Sequence, residues 1–511
     1  MSENNKPYKI LIGLETHVQL LTKTKLFCGC STKFGSPPNA NVCSGCLAMP
    51  GTLPVLNKKA YELALKTVLA LHCTVSRFMR WDRKHYFYPD LPGGYQISQF
   101  DLPIGLHGRL AISDMNGTFE PKEIRIMRAH MEADAGKSLH DEKSRTGDTR
   151  IDLNRGGMPL LEIVTQPDMA SSDEAFAYLT ELKLLLRHIG ASDCNMQEGS
   201  LRCDANVNLH IFPTPENGLT EIYKTPIVEV KNLNSFRAVK RAIEFETQRQ
   251  YQTFLDALES GGKAGVREEI AAHLSGSTKE TWLWDENAQV TRPMRAKELA
   301  SDYRYYPETD LPPVVTSEET IESAKQSLGE LPAAIRARYQ AEMGLSPYDS
   351  DVIVNQGPPF IAYFEEVAQE TGEPKQTANW VQQDVLRLLN EKGVTIEEFP
   401  IPPKNLAEMI LAMNQGKLPK TRGKDVFTKM FESRQTVEQA MEQLGIATVD
   451  GSEIEELCKK LLAENPNVSK DVQSGNVKAV GMLIGKAKKI NPNINPTVFQ
   501  ETCLKIIQDF Q

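Results

Sequence analysis

Residues 152 to 168 read Asp-Leu-Asn-Arg-Gly-Gly-Met-Pro-Leu-Leu-Glu-Ile-Val-Thr-Gln-Pro-Asp, and they determine how the other segments can be arranged. Gly156-Gly157 and Pro159 indicate a turn, and the branched apolar run Leu160 to Val164 predicts a short strand after it. Glu162 lies in the middle of that run. An acid in such a place commonly belongs to the outward face of an edge strand. The alternative is that Glu162 belongs to a functional site.

Four other segments combine an apolar face with a polar face, because successive side chains on a strand point to opposite sides. The segments are 9–20, 126–134, 201–210 and 227–231. Their polar faces carry, in chain order, Glu15 and His17; His130, Glu132 and Asp134; Arg202, Asp204, Asn206, Asn208 and His210; and Glu229 with Lys231. The pattern predicts strands of one sheet that has a packed face and an acidic face.

Clustered carboxylates repel one another unless a cation neutralises them. Mg²⁺ is a common solution, since it takes oxygen ligands and keeps waters for a phosphate-bearing substrate. His17 could add a nitrogen ligand or transfer a proton. The alternative is an exposed sheet face that only carries acids, which is frequent in antiparallel sheets. The pattern alone leaves both interpretations open.

The composition indicates an ordinary globular protein. At ~150 residues per domain, 511 residues predict about three domains. No apolar run approaches the ~18 residues that a membrane span needs. The N-terminus lacks a signal-peptide pattern, so we predict a cytoplasmic protein. The net charge of −9 argues against indiscriminate nucleic-acid binding, although a local basic surface remains compatible with it.

Four of the nine cysteines form two close pairs with twelve residues between them. They are Cys28, Cys30, Cys43 and Cys46. Two close pairs joined by a loop favour a tetrahedral zinc site over a set of buried reduced thiols. The predicted role is structural, because four thiolates leave no open coordination position.

Basic and aromatic residues alternate between Trp81 and Gln99. This pattern suits stacking on a base and contact with phosphates, although a buried aromatic cluster would show it as well. We predict a ligand-facing loop here. Its candidate residues are Lys84, Tyr86, Tyr88, Tyr95 and Gln96.

The predicted fold class is α+β, with a mixed or antiparallel sheet followed by an all-helical middle domain and a helical tail. The predicted domains are 1–300, 301–402 and 403–511, and the proline-rich segment Phe399 to Lys404 is interpreted as a linker. Residues 404–511 contain fifteen lysines and arginines against thirteen acids. This balance is compatible with a tail that contacts RNA, or with a solvated helical face.

The motifs of several common enzyme classes are missing. Gly136-Lys137-Ser138 fails as a phosphate-binding loop, since Met131 stands where the first glycine is required. There is no G-x-S-x-G nucleophile elbow. These observations favour metal-assisted phosphoryl or acyl-phosphate chemistry.

Long motifs along essentially the whole chain resemble the GatB/GatE family, the B subunits of the tRNA-dependent aspartyl/glutamyl amidotransferases. They are Ile12-Gly-Leu-Glu-Thr-His-Val18, Asp82-Arg-Lys-His-Tyr-Phe-Tyr-Pro-Asp90, Tyr95-Gln-Ile-Ser-Gln99, His130-Met-Glu-Ala-Asp-Ala-Gly-Lys137, Asp152-Leu-Asn-Arg155, Pro159-Leu-Leu-Glu162, Glu198-Gly-Ser-Leu-Arg-Cys-Asp-Ala-Asn206, Glu229-Val-Lys-Asn-Leu-Asn-Ser235 and Asp302-Tyr-Arg-Tyr-Tyr-Pro-Glu308. Residues Val266 to Glu286 depart from the family pattern, so no site is assigned there.

The resemblance implies a cradle-like catalytic domain, a helical domain and a YqeY-like tail that binds the tRNA body. It also implies an ATP-dependent, glutamine-hydrolysing ligase that works as a heterotrimer. ATP phosphorylates the side-chain carboxylate of Glu-tRNA(Gln) or Asp-tRNA(Asn), and ammonia from the glutaminase (A) subunit then displaces the phosphate. The small C subunit holds the assembly together.

The resemblance also implies residue roles. His17, Glu132 and Glu162 would bind the catalytic Mg²⁺. The second cation site would consist of Glu15, Asp204 and Glu229. Lys84 would lie near the exit of the ammonia channel, and the four clustered cysteines match a zinc site found in some family members. No residue is assigned to ATP.

Two alternatives to this function are a two-metal nuclease or phosphatase and a non-catalytic tRNA-binding scaffold.

Overall fold

The structure is a computed structural model. It describes residues 7–114, 117–140, 149–214, 217, 219, 221–274, 279–294, 303–446, 451–473, 479–491, 494 and 496–509. The chain divides into two compact units, Met1–Pro332 and Ala333–Gln511.

The first unit contains the β-strands of the described chain. They are β1 (Tyr8–Gln19), β2 (Thr74–Val75), β3 (Phe78–Met79), β4 (Asp82–His85), β5 (Tyr95–Ser98), β6 (Gly105–Ile112), β7 (Lys122–Ala133), β8 (Lys137–His140), β9 (Thr149–Asp152), β10 (Pro159–Thr165), β11 (Leu201–Ile211), β12 (Tyr223–Lys224), β13 (Ile227–Leu233), β14 (Lys279–Asp285), β15 (Val290–Pro293), β16 (Tyr306–Pro307) and β17 (Val314–Val315).

Ten strands form one mixed sheet in the order β15-β14-β13-β11-β1-β10-β7-β6-β2, with β12 paired to β11. Neighbouring strands are antiparallel except for the parallel pair β13 and β14. Three small sheets accompany it: β16-β4-β5, β17-β3 and β8-β9. Strands β14 and β15 form an antiparallel hairpin, and Trp282 and Trp284 lie on β14.

The four helices of the first unit are α1 (Lys58–Ala70), α2 (Ser172–His188), α3 (Phe236–Leu274) and α4 (Glu318–Gln326) among the described residues. The side chain of Ser171 begins α2 by accepting a hydrogen bond from the Glu174 amide. One core joins these helices to the apolar face of the large sheet, including Ile12, Leu161 and Leu182. Because that face is covered by helices, the polar face of the same strands is left to form a site.

The described part of the second unit is helical. Its helices are α5 (Pro332–Glu342), α6 (Pro347–Val354), α7 (Pro358–Thr371), α8 (Pro374–Trp380), α9 (Leu386–Lys392), α10 (Pro403–Asn414), α11 (Gly423–Ser433), α12 (Val437–Gln443), α13 (Gly451–Glu464), α14 (Pro466–Gln473), α15 (Val480–Ile490) and α16 (Pro496–Asp509). A π-helical turn, Val381–Val385, connects α8 to α9. A separate apolar cluster holds α13 to α16 together, with Leu461, Leu483 and Phe499 in its centre.

The proline-rich segment before α10 is packed into the second unit. Phe399 and Ile401 are buried, and the Tyr363 hydroxyl donates to the Ile401 carbonyl over 3.0 Å. Prolines disfavour a helix in this segment, but its apolar side chains Phe399 and Ile401 are buried beside α7. The segment is therefore not an extended spacer between two bodies.

The predicted fold class is confirmed: a mixed sheet with helices precedes a helical C-terminal region. The three predicted domains and their boundaries stay predictions. Among the described residues, none of the helices has both the length and the apolar composition that crossing a bilayer would require.

Candidate functional site

Three side chains from adjacent strands meet on the polar face of the sheet. The register pairs His17 on β1 with Glu162 on β10, and Glu162 with His130 on β7. The His17 Nε2 atom lies 3.3 Å from Glu162 Oε2 and 3.8 Å from Glu132 Oε1. The structure thus brings the predicted Mg²⁺ trio of His17, Glu132 and Glu162 together.

Glu162 does not lie on an edge strand. Strand β10 runs between β1 and β7, and Glu162 is 7% exposed. The edge-strand interpretation is wrong because strand neighbours depend on long-range pairing, which alternation within one strand does not reveal.

His130 is a fourth member of this cluster that the residue assignments missed. Its Nε2 atom is 3.3 Å from Glu162 Oε2 and 3.8 Å from Glu132 Oε2. The Ser98 hydroxyl adds a hydrogen bond of 3.3 Å to Glu132. The alternation of β7 had already placed His130 on the same face as Glu132. That shared face was the sequence signal that could have identified His130 as part of the site.

The cluster is strongly coupled electrostatically. Burial lowers the pKa of His17, but Glu162 and Glu132 outweigh this effect and raise the pKa to about 9. Burial raises the pKa of Glu162, yet His130 and His17 hold it well below its usual range. The metal-free cluster therefore carries protonated imidazole, and a divalent ion bound to His17 would displace a proton.

The donor set fits a divalent ion. One ligand atom from each of His17, Glu132 and Glu162 can be chosen so that all lie within 4.8 Å of one another. An octahedral ion with bonds of about 2.1 Å places neighbouring donors about 3 Å apart, so small side-chain movements would close this cluster on Mg²⁺ or Mn²⁺. Two carboxylates and an imidazole are suitable ligands for such ions.

The predicted second cation group lies next to this cluster. Glu15 is paired directly with Asp204, and Glu229 is on the next strand, β13. Two lysines neutralise these acids: the Lys231 ammonium contacts Asp204 and lies 3.3 Å from Glu229, and the Lys279 ammonium lies 3.1 Å from Glu15. A second cation would compete with these ammonium groups, and its site stays a prediction.

Lys279 comes from the segment for which the sequence suggested no role. The segment Val266 to Glu286 includes the end of α3 and strand β14, while residues 275–278 lie outside the described chain. The Thr281 hydroxyl donates to Glu229 over 3.4 Å. Parallel pairing of β14 with β13 brings Lys279 and Thr281 to the site. No local sequence pattern predicts such a pairing.

The predicted ligand-facing loop is largely a hairpin of β4 and β5. Lys84 is paired with Gln96, and both lie on the side of the hairpin that faces His17, Glu132 and Glu162. The Lys84 ammonium lies 4.9 Å from the centroid of the Tyr303 ring and 5.8 Å from that of Tyr86. Burial lowers the pKa of Lys84, but the charges of Glu132 and Glu162 outweigh this effect and raise it.

Hydrogen bonds fasten this hairpin to β7. The Tyr86 hydroxyl donates to the Gln96 side chain over 2.9 Å, and Gln96 donates to the Ala133 carbonyl over 2.8 Å. Tyr95 faces away from the trio, with the Arg83 guanidinium 4.5 Å from its ring centroid. Tyr88 is exposed beyond the hairpin. The predicted loop residues are therefore divided between two faces.

Arginines neutralise Asp134, which directly follows β7. The Arg202 guanidinium lies 2.7 Å from Asp134, and Arg155 lies 3.6 Å from it. Arg202 is paired with His17 across β1 and β11. Asp134, which alternation placed beside Glu132, serves here in an ion-pair group.

The four clustered cysteines meet at one point, called the cysteine knuckle here. The Cys46 sulfur lies 3.6 Å from that of Cys28 and 3.8 Å from those of Cys30 and Cys43. Tetrahedral zinc with Zn–S bonds of about 2.3 Å separates its sulfurs by about 3.8 Å, so the geometry fits zinc. The Cys28 hydrogen bond, together with the nearby Lys25 charge, lowers the Cys46 pKa to about 4.

Comparison with known proteins gives two family matches. The family described as GatB/GatE catalytic domain matches residues 10–322, and that described as GatB domain matches residues 362–507. Asp302, in the last family-like motif, lies outside the described residues.

Curated relatives are similar over nearly the whole chain. A protein of Rhodopirellula baltica is 52% identical over 98% of this chain and 97% of its own length. A protein of Thermodesulfovibrio yellowstonii is 43% identical over 98% of this chain and 100% of its own length. Both are named as the B subunit of an aspartyl/glutamyl-tRNA(Asn/Gln) amidotransferase.

Proposed function

The chain belongs to the GatB/GatE family, and we propose that it amidates Glu-tRNA(Gln), Asp-tRNA(Asn) or both as part of an amidotransferase with several subunits. The observation that supports this most directly is the convergence of His17, Glu132 and Glu162 beside the Lys84 hairpin. The products would be Gln-tRNA(Gln) and Asn-tRNA(Asn) for translation in the cytoplasm.

The proposed reaction has two balanced steps. A carboxylate oxygen of the tRNA-bound amino acid attacks the γ-phosphorus of ATP, the bond to the bridging oxygen breaks, and ADP leaves. Ammonia nitrogen then attacks the acyl carbon, phosphate leaves with the C–O bond electrons, and loss of a proton gives the amide. Activation is needed because a free carboxylate has no good leaving group.

The trio would hold the divalent ion, which offsets charge on the phosphoryl oxygens. Glu132 and Glu162 would bind the ion through oxygen, and His17 would bind it through Nε2 once it has lost its proton. His130 and Ser98 contact the two carboxylates and restrict their orientation. Fixed ligands of this kind position reactants without reorganisation during the reaction.

Lys84 provides the first prediction at the site. We expect Lys84→Met to lower amide formation roughly 10- to 100-fold, with glutamine or free ammonia as donor, because it removes the positive charge beside Glu132 and Glu162. The measurement is the initial rate of amide formation with both donors. Lys84→Arg should retain more activity, and Lys58→Met, at an exposed lysine, is the control. Full activity of Lys84→Met with free ammonia would contradict the proposed charge role.

We propose that Glu15, Asp204 and Glu229 bind a second cation more weakly than the trio, because Lys231 and Lys279 compete with it. Titration of the full chain with Mn²⁺, followed by the paramagnetic signal of free Mn²⁺, should show two affinity classes. Lys231→Met should strengthen Mn²⁺ binding in the weaker class roughly tenfold or more. The substitution removes the ammonium group that competes with the cation for the carboxylates of Asp204 and Glu229. The control is Lys224→Met, an exposed lysine on β12. An unchanged weaker class in Lys231→Met would exclude this second site.

The partners that we propose are the glutaminase (A) subunit, the small C subunit, which completes a heterotrimer, and misacylated tRNA. Residues 403–511 would form the tRNA-binding tail after a catalytic domain at 1–300 and a helical domain at 301–402. Exposed basic side chains in the tail can contact phosphates of the tRNA body. They include Lys417, Lys420, Lys424, Lys486, Lys488 and Lys489.

The deciding experiment combines the purified chain with its two partner proteins and measures amide formation on Glu-tRNA(Gln) and Asp-tRNA(Asn). The expected product requires ATP, Mg²⁺ and either glutamine or ammonia. Cleavage of RNA or of a phosphate ester without amide product would instead support the two-metal nuclease or phosphatase.

A further inference from the structure

Lys25 is a buried lysine between β1 and the cysteine knuckle. It is 1% exposed, which is unusual for a lysine. Burying an ammonium group is costly unless it is paired and hydrogen-bonded. Its surroundings must therefore supply negative charge.

Among the described residues, the ammonium group contacts a sulfur and a backbone carbonyl. Its Nζ atom lies 3.4 Å from the Cys46 sulfur and 3.1 Å from the Leu153 carbonyl oxygen. No ion pair joins Lys25 to a carboxylate within the part of the chain that the structure describes. The available negative charge is that of the cysteine sulfurs.

Four thiolates around Zn²⁺ carry a net charge of −2. A buried ammonium that donates to one of these sulfurs removes part of this excess and disfavours protonation of the ligand, which is the first step in metal loss. Outer contacts of this kind commonly change metal affinity 10- to 100-fold.

The second contact connects the knuckle to the turn before β10. Leu153 and Gly157 belong to that turn, and the Leu26 amide donates to the Gly157 carbonyl over 2.8 Å. A Cβ atom on Gly157 would lie 3.5 Å from Lys25 Cδ, so the lysine side chain runs along this turn. Glu162 lies on β10, the strand that follows this turn.

We propose that Lys25 is a positioning residue that stabilises the metal-thiolate cluster through Cys46 and ties it to the turn leading into β10. This inference rests on the zinc site at the knuckle. It makes zinc retention and the order of residues 153–157 depend on one ammonium group.

The test uses the full chain and the variants Lys25→Met, Lys25→Gln, Lys25→Arg and Lys23→Met. Zinc release to a chromogenic chelator is the readout, together with zinc content per chain. Lys25→Met should release zinc roughly tenfold faster or more, Lys25→Gln should be intermediate, and Lys25→Arg should be closest to the unmodified chain. Lys23 is exposed two residues away, so Lys23→Met should release zinc at the unmodified rate.

Hydrogen exchange separates the second contact from general loss of structure. Removing zinc should speed hydrogen exchange of the Gly156 and Gly157 amides in the unmodified chain. In Lys25→Met, the same two amides should exchange fast even with zinc still bound. Unchanged release and exchange in Lys25→Met would overturn the proposal. If Lys25→Met does not fold, equal rates of zinc release from Lys25→Gln and Lys25→Arg would overturn the proposal. An unmodified chain without zinc would instead refute the zinc site itself.

Discussion

Glu162→Gln should abolish ATP-dependent amide formation, with a rate loss on the order of a thousandfold or more. Glutamine has nearly the volume of glutamate, so packing is conserved in this buried place. The substitution removes one of the two proposed carboxylate ligands, and it takes from His17 and His130 the negative charge that lies 3.3 Å from each. A loss of several kcal/mol in transition-state stabilisation corresponds to that change in rate.

The rate should be measured at saturating ATP and Mg²⁺, with ADP release recorded alongside amide. We expect both products to fall together, because the ion acts in phosphoryl transfer. The control is Glu123→Gln, which removes an exposed glutamate from β7 and should leave the rate unchanged. Normal amide formation by Glu162→Gln would show that the cluster is not catalytic and would support the tRNA-binding scaffold.

Cys46→Ser should remove about one zinc ion per chain and lower the free energy of unfolding of the first unit by about 3 kcal/mol or more. Cys46 has the central position in the knuckle, since its sulfur lies within 3.8 Å of each of the other three. A hydroxyl group is a poorer zinc ligand than a thiolate. Loss of the Cys46 thiolate also leaves the Lys25 ammonium without its sulfur partner.

The measurements are zinc content after gel filtration and denaturant unfolding with and without added zinc. Cys194→Ser is the matched control: it changes a buried cysteine outside the knuckle and should keep its zinc. Chelation of the unmodified chain should reproduce the destabilisation of Cys46→Ser. Equal stability of Cys46→Ser and the zinc-loaded chain would contradict a structural role of the metal.

The sequence by itself determined the faces of the strands. The alternation in β1, β7, β11 and β13 placed Glu15, His17, Glu132 and Glu229 opposite the apolar core residues, and the structure agrees. The cysteine spacing likewise predicted the knuckle. These features could be predicted because the side-chain period of a strand and the reach of a short loop are local properties.

Only the tertiary structure decided which faces meet. It placed β10 between β1 and β7, brought Lys279 to Glu15 across the sheet, turned Tyr95 away from Lys84 and buried Lys25 against Cys46. Each of these contacts joins segments that are distant in the chain or depends on which side of a hairpin faces the sheet. Strand order, register and packing settle them, because local periodicity gives the direction of a side chain but not the neighbour that it will meet.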